Sequence, residues 1–230
     1  MLWTALKPKG DTHTVLIYIL FFATGALAGT LSGLLGIGGG IIVVPALAWI
    51  FTYHQVPSHY IMQLAVGTSL AAMIVTSAVS AQTYHKCGNL DLKVFKQAIP
   101  GLILGVIGGS IVSSFVHSRV IAVILGVVLC IVGLRLLFFA NAKPKRTLPK
   151  HGIILGFALI ISFFSGLLGI GGGVFIVPLL IYCSLPMRKA SGTSALSSLP
   201  IAIVGTISYI ISGWHQVNYP HTLGFIQWPA

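Results

Sequence analysis

Residues 12–85 include no Asp, Glu, Lys or Arg, and neither do residues 151–187 or 190–230. A soluble domain carries about 25% charged residues; here the figure is 7%, with a mean hydropathy of +1.00. About 20 consecutive apolar residues are enough to span a bilayer. Uncharged stretches this long therefore predict an all-α, polytopic membrane protein whose first partner is the lipid bilayer.

A second feature divides that membrane domain in two. The stretch Ser32-Gly33-Leu34-Leu35-Gly36-Ile37-Gly38-Gly39-Gly40 recurs letter for letter as Ser165-Gly166-Leu167-Leu168-Gly169-Ile170-Gly171-Gly172-Gly173. Val44-Pro45 and Val177-Pro178 follow at the same distance, and each half then carries a Gly-Thr-Ser, at Gly67-Thr68-Ser69 and Gly192-Thr193-Ser194. Such self-similarity predicts an internal duplication. We read residues 1–140 as the first membrane repeat, 141–150 as a basic cytoplasmic linker, and 151–230 as the second repeat. Aligning Asn218 with Asn89 sets Ala230 opposite Gly101, so the second repeat is expected to lack counterparts of its last two helices. A shortened product or a partner that supplies the missing surface would both fit, and a homo-oligomer is one such partner.

The net charge of +11 invites a nucleic-acid reading, but the basic residues are grouped. Lys86, Lys93 and Lys96 form one group; Arg135, Lys143, Lys145, Arg146 and Lys150 form another. Basic residues concentrate in cytoplasmic loops, so both groups are expected in the cytoplasm, with no nucleic acid involved. Cys87, Cys130 and Cys183 form no CxxC pair and no metal-ligand spacing, so neither a disulfide framework nor a metal or other cofactor is called for.

Hydropathy predicts helices over residues 15–35, 62–84, 98–116, 120–140, 152–168 and 190–212. Two shorter apolar pieces, 41–53 and 174–185, follow the glycine runs and are too short to cross by themselves. Gly25, Gly29, Gly33 and Gly101, Gly105, Gly109 recur every four residues, a spacing that lets helix backbones approach closely. The segment resembling a signal peptide, residues 15–28, has an internal counterpart at 153–168 and is expected to be a retained helix. Charge counting leaves open whether the repeats are parallel or inverted.

Close packing does not account for three consecutive glycines that end a helix twice. A break at membrane depth exposes backbone groups that lipid cannot satisfy, so it persists only where protein or a water-filled cavity meets it. The amides that open the following short helix sit at the positive end of its dipole, a place suited to anions. Short, glycine-interrupted segments in matching positions of two repeats point to a transporter's binding site. The candidate substrate-binding residues are Gly36, Gly38, Gly39, Gly40, Gly169, Gly171, Gly172 and Gly173, with hydroxyls from Thr68, Ser69, Thr193 and Ser194. Each hydroxyl could equally bond back to its own helix. Neither acid, Asp11 or Asp91, lies within a span. Proton and cation pathways are usually marked by buried Asp, Glu or His, so a small anion suits the site better than a cation.

The doubled GLLGIGGGxxxVP element, each copy followed by Gly-Thr-Ser, resembles the TauE/SafE family of membrane proteins, the sulfite exporters, over about residues 14–230. That resemblance implies a plasma-membrane permease for sulfite, sulfoacetate or related small sulfur anions. The expectation is a permease working by alternating access around the two breaks. Its rivals are a cation or metal permease lined by carbonyls, and a truncated membrane subunit that does not transport. No nucleophile–base pair, acid pair or metal cluster suggests an enzyme.

Overall fold

The computed structural model describes residues 25–26, 29–30, 39–53, 57–138, 151–214 and 222–227. Among the described residues there are seven helices: α1 Gly40–Tyr53, α2 Ile61–Lys86, α3 Leu92–Phe115, α4 Ser118–Phe138, α5 His151–Leu168, α6 Gly173–Tyr182 and α7 Met187–Gly213. They make an all-α membrane protein. Helices α2, α3 and α7 are long and apolar enough to cross a membrane; at a rise of about 1.5 Å per residue, α2 is about 39 Å long. The predicted first helix, apart from the helical residues 25–26 and 29–30, and the predicted linker at 141–150 lie outside the described residues.

Several helix ends differ from the sequence expectation, and two of them move charged residues into helix. Helix α3 begins at Leu92 rather than near residue 98, because the Asp91 carboxylate accepts from the amides of Lys93 (3.1 Å) and Val94 (3.2 Å). This is a side-chain N-cap, and it draws Lys93 and Lys96 out of the expected loop into helix. Arg188 and Lys189 likewise fall inside α7. After α7 the chain makes a small antiparallel hairpin, β1 Thr222–Leu223 and β2 Ile226–Gln227. Gly224 turns it at φ +62 and presses on the Ile210 backbone, an approach that a side chain would block. Phe225, fully buried, fills the space between α2 and α7, its amide donating to the Tyr209 carbonyl at 3.3 Å.

Helix directions follow from the close approaches. Gly101, Gly105 and Gly109 face Leu155, Leu159 and Phe163 in turn, so α3 and α5 run parallel with their backbones nearly touching. The predicted glycine strip on α3 thus does pack against a neighbouring helix. Helices α2 and α7 run antiparallel: Gly67 meets Tyr209, Leu70 meets Gly205, and Tyr84 meets Gly192. Gln63, near the start of α2, donates to the Val116 carbonyl beyond the end of α3 at 2.9 Å, so that pair is antiparallel too. The end of α2 and the starts of α3, α5 and α7 therefore share one end of the bundle, and Lys86, Lys93, Lys96, Arg188 and Lys189 collect there. Arg119 lies at the other end, beside Ser118, whose hydroxyl accepts the Met62 amide at 3.0 Å.

Polarity is arranged as a bilayer requires. Val75, Phe115, Val123, Ile131 and Ile211 lie on the exterior, while Ser69, Ser110, Ser113, Ser162, Ser165, Ser194 and Ser198 are wholly inside. Lipid makes apolar exteriors stable, and small residues and hydroxyls let helices pack closely and bond to each other.

Candidate functional site

The second glycine run breaks the chain at depth. Helix α5 stops at Leu168 and α6 starts at Gly173, and between them Gly169, Gly171 and Gly172 have φ of +70, +74 and +70. Three left-handed residues in four positions are tolerable only for glycine. Residues 169–173 are all buried. The Gly169 amide closes α5 by donating to the Ser165 carbonyl at 2.8 Å, a left-handed glycine ending.

The first run has the same geometry where it is described. Gly39 has φ +54, and its carbonyl accepts from Ile42 (3.1 Å) and Val43 (3.2 Å) as α1 begins. Gly172 does the same for α6, accepting from Phe175 (3.0 Å) and Ile176 (2.9 Å). Each short helix thus starts on a left-handed glycine, and each carries a proline five residues after its first glycine, Pro45 and Pro178. Gly36 and Gly38 lie outside the described residues.

The two runs abut. A Cβ on Gly40 would run into the Gly169 carbonyl oxygen and come within 2.8 Å of the Ile170 Cα. Val66 of α2 and Val44 of α1 close over Gly169 from the other sides.

Hydroxyls serve the break in a way the sequence did not indicate. Ser69 Oγ donates to the Gly169 carbonyl at 3.2 Å, and Ser198 Oγ lies against the Gly171 carbonyl and 3.0 Å from that of Ser194. The carbonyls that lipid could not satisfy are therefore met by serines of α2 and α7. Among the described residues no backbone carbonyl accepts from the amides of Gly171 and Gly172. Thr193 Oγ1 is turned to the α2–α3 connection, where it accepts the Asp91 amide at 2.9 Å. Ser194 and Thr68 are buried nearby in their helices. Tyr209 Oη donates to the Gly166 carbonyl at 3.0 Å, which ties α7 to the last turn of α5.

Sequence comparison bears on what this arrangement does. The profile of the family described as Sulfite exporter TauE/SafE matches residues 21–229. The chain belongs to the TauE/SafE family. It is 33% identical over 216 residues to a "Probable membrane transporter protein" of Haemophilus influenzae, covering 92% of this chain and 81% of that one. It is 30% identical over 234 residues to "Probable membrane transporter protein YunE" of Bacillus subtilis, covering 91% and 83%. A third relative, "Probable membrane transporter protein MJ0441" of Methanocaldococcus jannaschii, is 29% identical, covering 96% of this chain and 82% of that one. No solved structure matches the chain. A TauE/SafE chain is a membrane transporter, and family and relatives alike point to transport rather than to an enzyme.

Sequence reasoning did not single out Ser198, whose hydroxyl lies against the Gly171 carbonyl, or Ser165, buried in the last turn of α5. Ser165 was visible as the first letter of the doubled stretch. Ser198 lies one helical turn beyond Ser194, a spacing that puts both on one face.

Proposed function

We propose that this TauE/SafE protein is a multi-pass permease of the cell membrane that moves a small anion, sulfite or a related sulfur oxyanion, by alternating access around its two glycine breaks. The observation that carries the reading is the seating of Gly40 on Gly169: the start of short helix α1 meets the break between α5 and α6 inside the protein. The carbonyls of Gly169 and Gly171 already accept from hydroxyls, while the amides of Gly171 and Gly172 have no backbone acceptor among the described residues. A cation would need those carbonyls; an anion needs the amides.

The contacts between α2 and α7 support inverted repeats. Gly67 lies against Tyr209, and Gly192 lies against Tyr84. Gly192 and Tyr209 each stand 125 positions after Gly67 and Tyr84, so exchanging the repeats turns one contact into the other. The helices are antiparallel, which makes the relating axis lie across them. Inverted repeats can exchange conformations and so open a shared central site first to one side and then to the other. By the positive-inside rule the end bearing Lys86, Lys93, Lys96, Arg188 and Lys189 faces the cytoplasm.

The test is flux of labelled sulfite in proteoliposomes, with Gly39 and Gly172 together replaced by bulky residues. We expect saturable flux in the native protein, competed by related oxyanions and not by divalent cations, and lost in the double variant. Flux unchanged by the double substitution, or competition by divalent cations alone, would refute the reading.

A further inference from the structure

The geometry points to Ser165 as a ligand residue of the second break, forming with the amides of Gly171 and Gly172 a half-site for a small, singly charged oxyanion. This rests on the anion reading given above and adds a residue and a charge state to it.

Ser165 is in the last turn of α5, with no exposed surface. Among the described residues its hydroxyl oxygen has no hydrogen-bond partner. Ser77, Ser113 and Thr206 are likewise buried hydroxyls without a partner, whereas Ser69, Ser162, Ser197 and Ser198 donate to backbone carbonyls; of the unpartnered hydroxyls, Ser165 is the one four residues before Gly169. The usual resort of a helical serine is the carbonyl four residues back, and Ser165 does not take it. Its oxygen stands 3.5 Å from the point a Cβ on Gly172 would occupy, beside the Ile201 and Ile176 methyls at 2.9 and 3.2 Å, so it faces the residue that caps α6. A buried polar atom left without a partner is destabilising and calls for an explanation. Here the explanation is adjacent: the amides of Gly171 and Gly172, without a backbone acceptor among the described residues, and the positive end of α6. The Ser165 hydroxyl and the two amides at the start of a ten-residue helix would supply three donors to the oxygen of an anion.

The charge state follows from what surrounds the half-site. Helices α5 and α6 contain no Lys or Arg, and neither does α7 beyond Arg188 and Lys189 in its first turn. On α2 and α3 the basic residues are Lys86, Lys93 and Lys96, all at the basic end of the bundle, and on α4 they are Arg119 in its first turn and Arg135 in its last. The cost of stripping water from an ion rises with the square of its charge, so without a close counter-charge a dianion needs many more donors than a singly charged guest. Neutral donors alone therefore select the hydrogen-bearing, singly charged form of a sulfur oxyanion over a dianion such as sulfate. Ser165 Oγ can also accept a hydrogen bond from the protonated oxygen of such a ligand, which an amide N–H cannot.

The experiment uses the full chain in proteoliposomes, with labelled sulfite supplied at mildly acidic pH. In Ser165→Ala the half-saturation concentration is expected to rise about tenfold, the loss of one hydrogen bond to a charged group, with maximal flux retained. Native flux together with an unchanged half-saturation concentration in Ser165→Ala would overturn the role of Ser165 and leave the anion reading standing. Absence of saturable sulfite flux in the native protein would remove the anion reading itself. Should Ser165→Ala fail to fold, Ser165→Cys gives an independent readout in a chain whose Cys87, Cys130 and Cys183 are replaced by alanine. Iodoacetamide labelling of that cysteine is expected to be slowed by methanesulfonate, a singly charged oxyanion, and not by sulfate. Equal labelling with and without methanesulfonate, or equal protection by sulfate, would overturn the proposal.

Discussion

Ser69 Oγ lies 3.2 Å from the carbonyl oxygen of Gly169, one hundred residues further along the chain. A hydroxyl from the first half thereby satisfies the break in the second half. Both groups are buried, so neither has water as an alternative partner.

Replacing Ser69 by alanine should accordingly leave the Gly169 carbonyl without that donor. The expected cost is about 1–3 kcal/mol, read as a lowered midpoint of thermal unfolding in detergent. An unchanged midpoint would show that the carbonyl has another donor.

Gly40 and Gly126 should respond oppositely to alanine. A methyl group on Gly40 collides with the backbone of Gly169 and Ile170, whereas Gly126 on α4 has nothing within 4 Å among the described residues. Gly40→Ala is expected to destabilise by about 1–3 kcal/mol or more. Gly126→Ala should be neutral or stabilise by up to about 1 kcal/mol through helix propensity. Thermal unfolding of the two variants side by side is the check; equal responses would contradict the abutment of the two runs.

The antiparallel course of α2 and α7 puts Cys87, just beyond α2, and Leu223, in the hairpin after α7, at opposite ends of the bundle. Both positions are exposed. In intact cells a membrane-impermeant maleimide should label Leu223→Cys and spare Cys87, and inside-out vesicles should reverse the pattern. Labelling of both from one side would exclude the inverted arrangement.

Thr193→Val should loosen the start of α3, because Thr193 Oγ1 accepts the amide of Asp91, the residue that caps that helix. Asp91→Ala should do the same through loss of the cap, at about 0.5–2 kcal/mol. Faster hydrogen exchange in the first turn of α3, with the rest of the helix unchanged, is the expected signature in both variants.

Much of this architecture can be read directly from residue order. The membrane class follows from the uncharged stretches, because a bilayer rejects charge whatever the packing. The break at residues 169–172 follows from its glycines, because a run of left-handed residues is a local matter of Cβ sterics. The α3 strip at Gly101, Gly105 and Gly109 was legible for the same reason: a fourfold spacing puts small residues on one helix face. The extended start of α3 was not read, although Asp91 stands two and three residues before the amides it caps.

Other features required the assembled chain. That Gly40 rests on Gly169, that Ser69 and Ser198 bond to the break rather than to their own helices alone, and that Thr193 turns to Asp91 are contacts between residues 27 to 129 positions apart. Local sequence sets the backbone angles and the polarity of each segment; it leaves open which of several buried hydroxyls will find which carbonyl. Helix direction settles that choice. The direction of α7 against α2, decided by which small residues let the backbones meet, joins the two halves at their glycines.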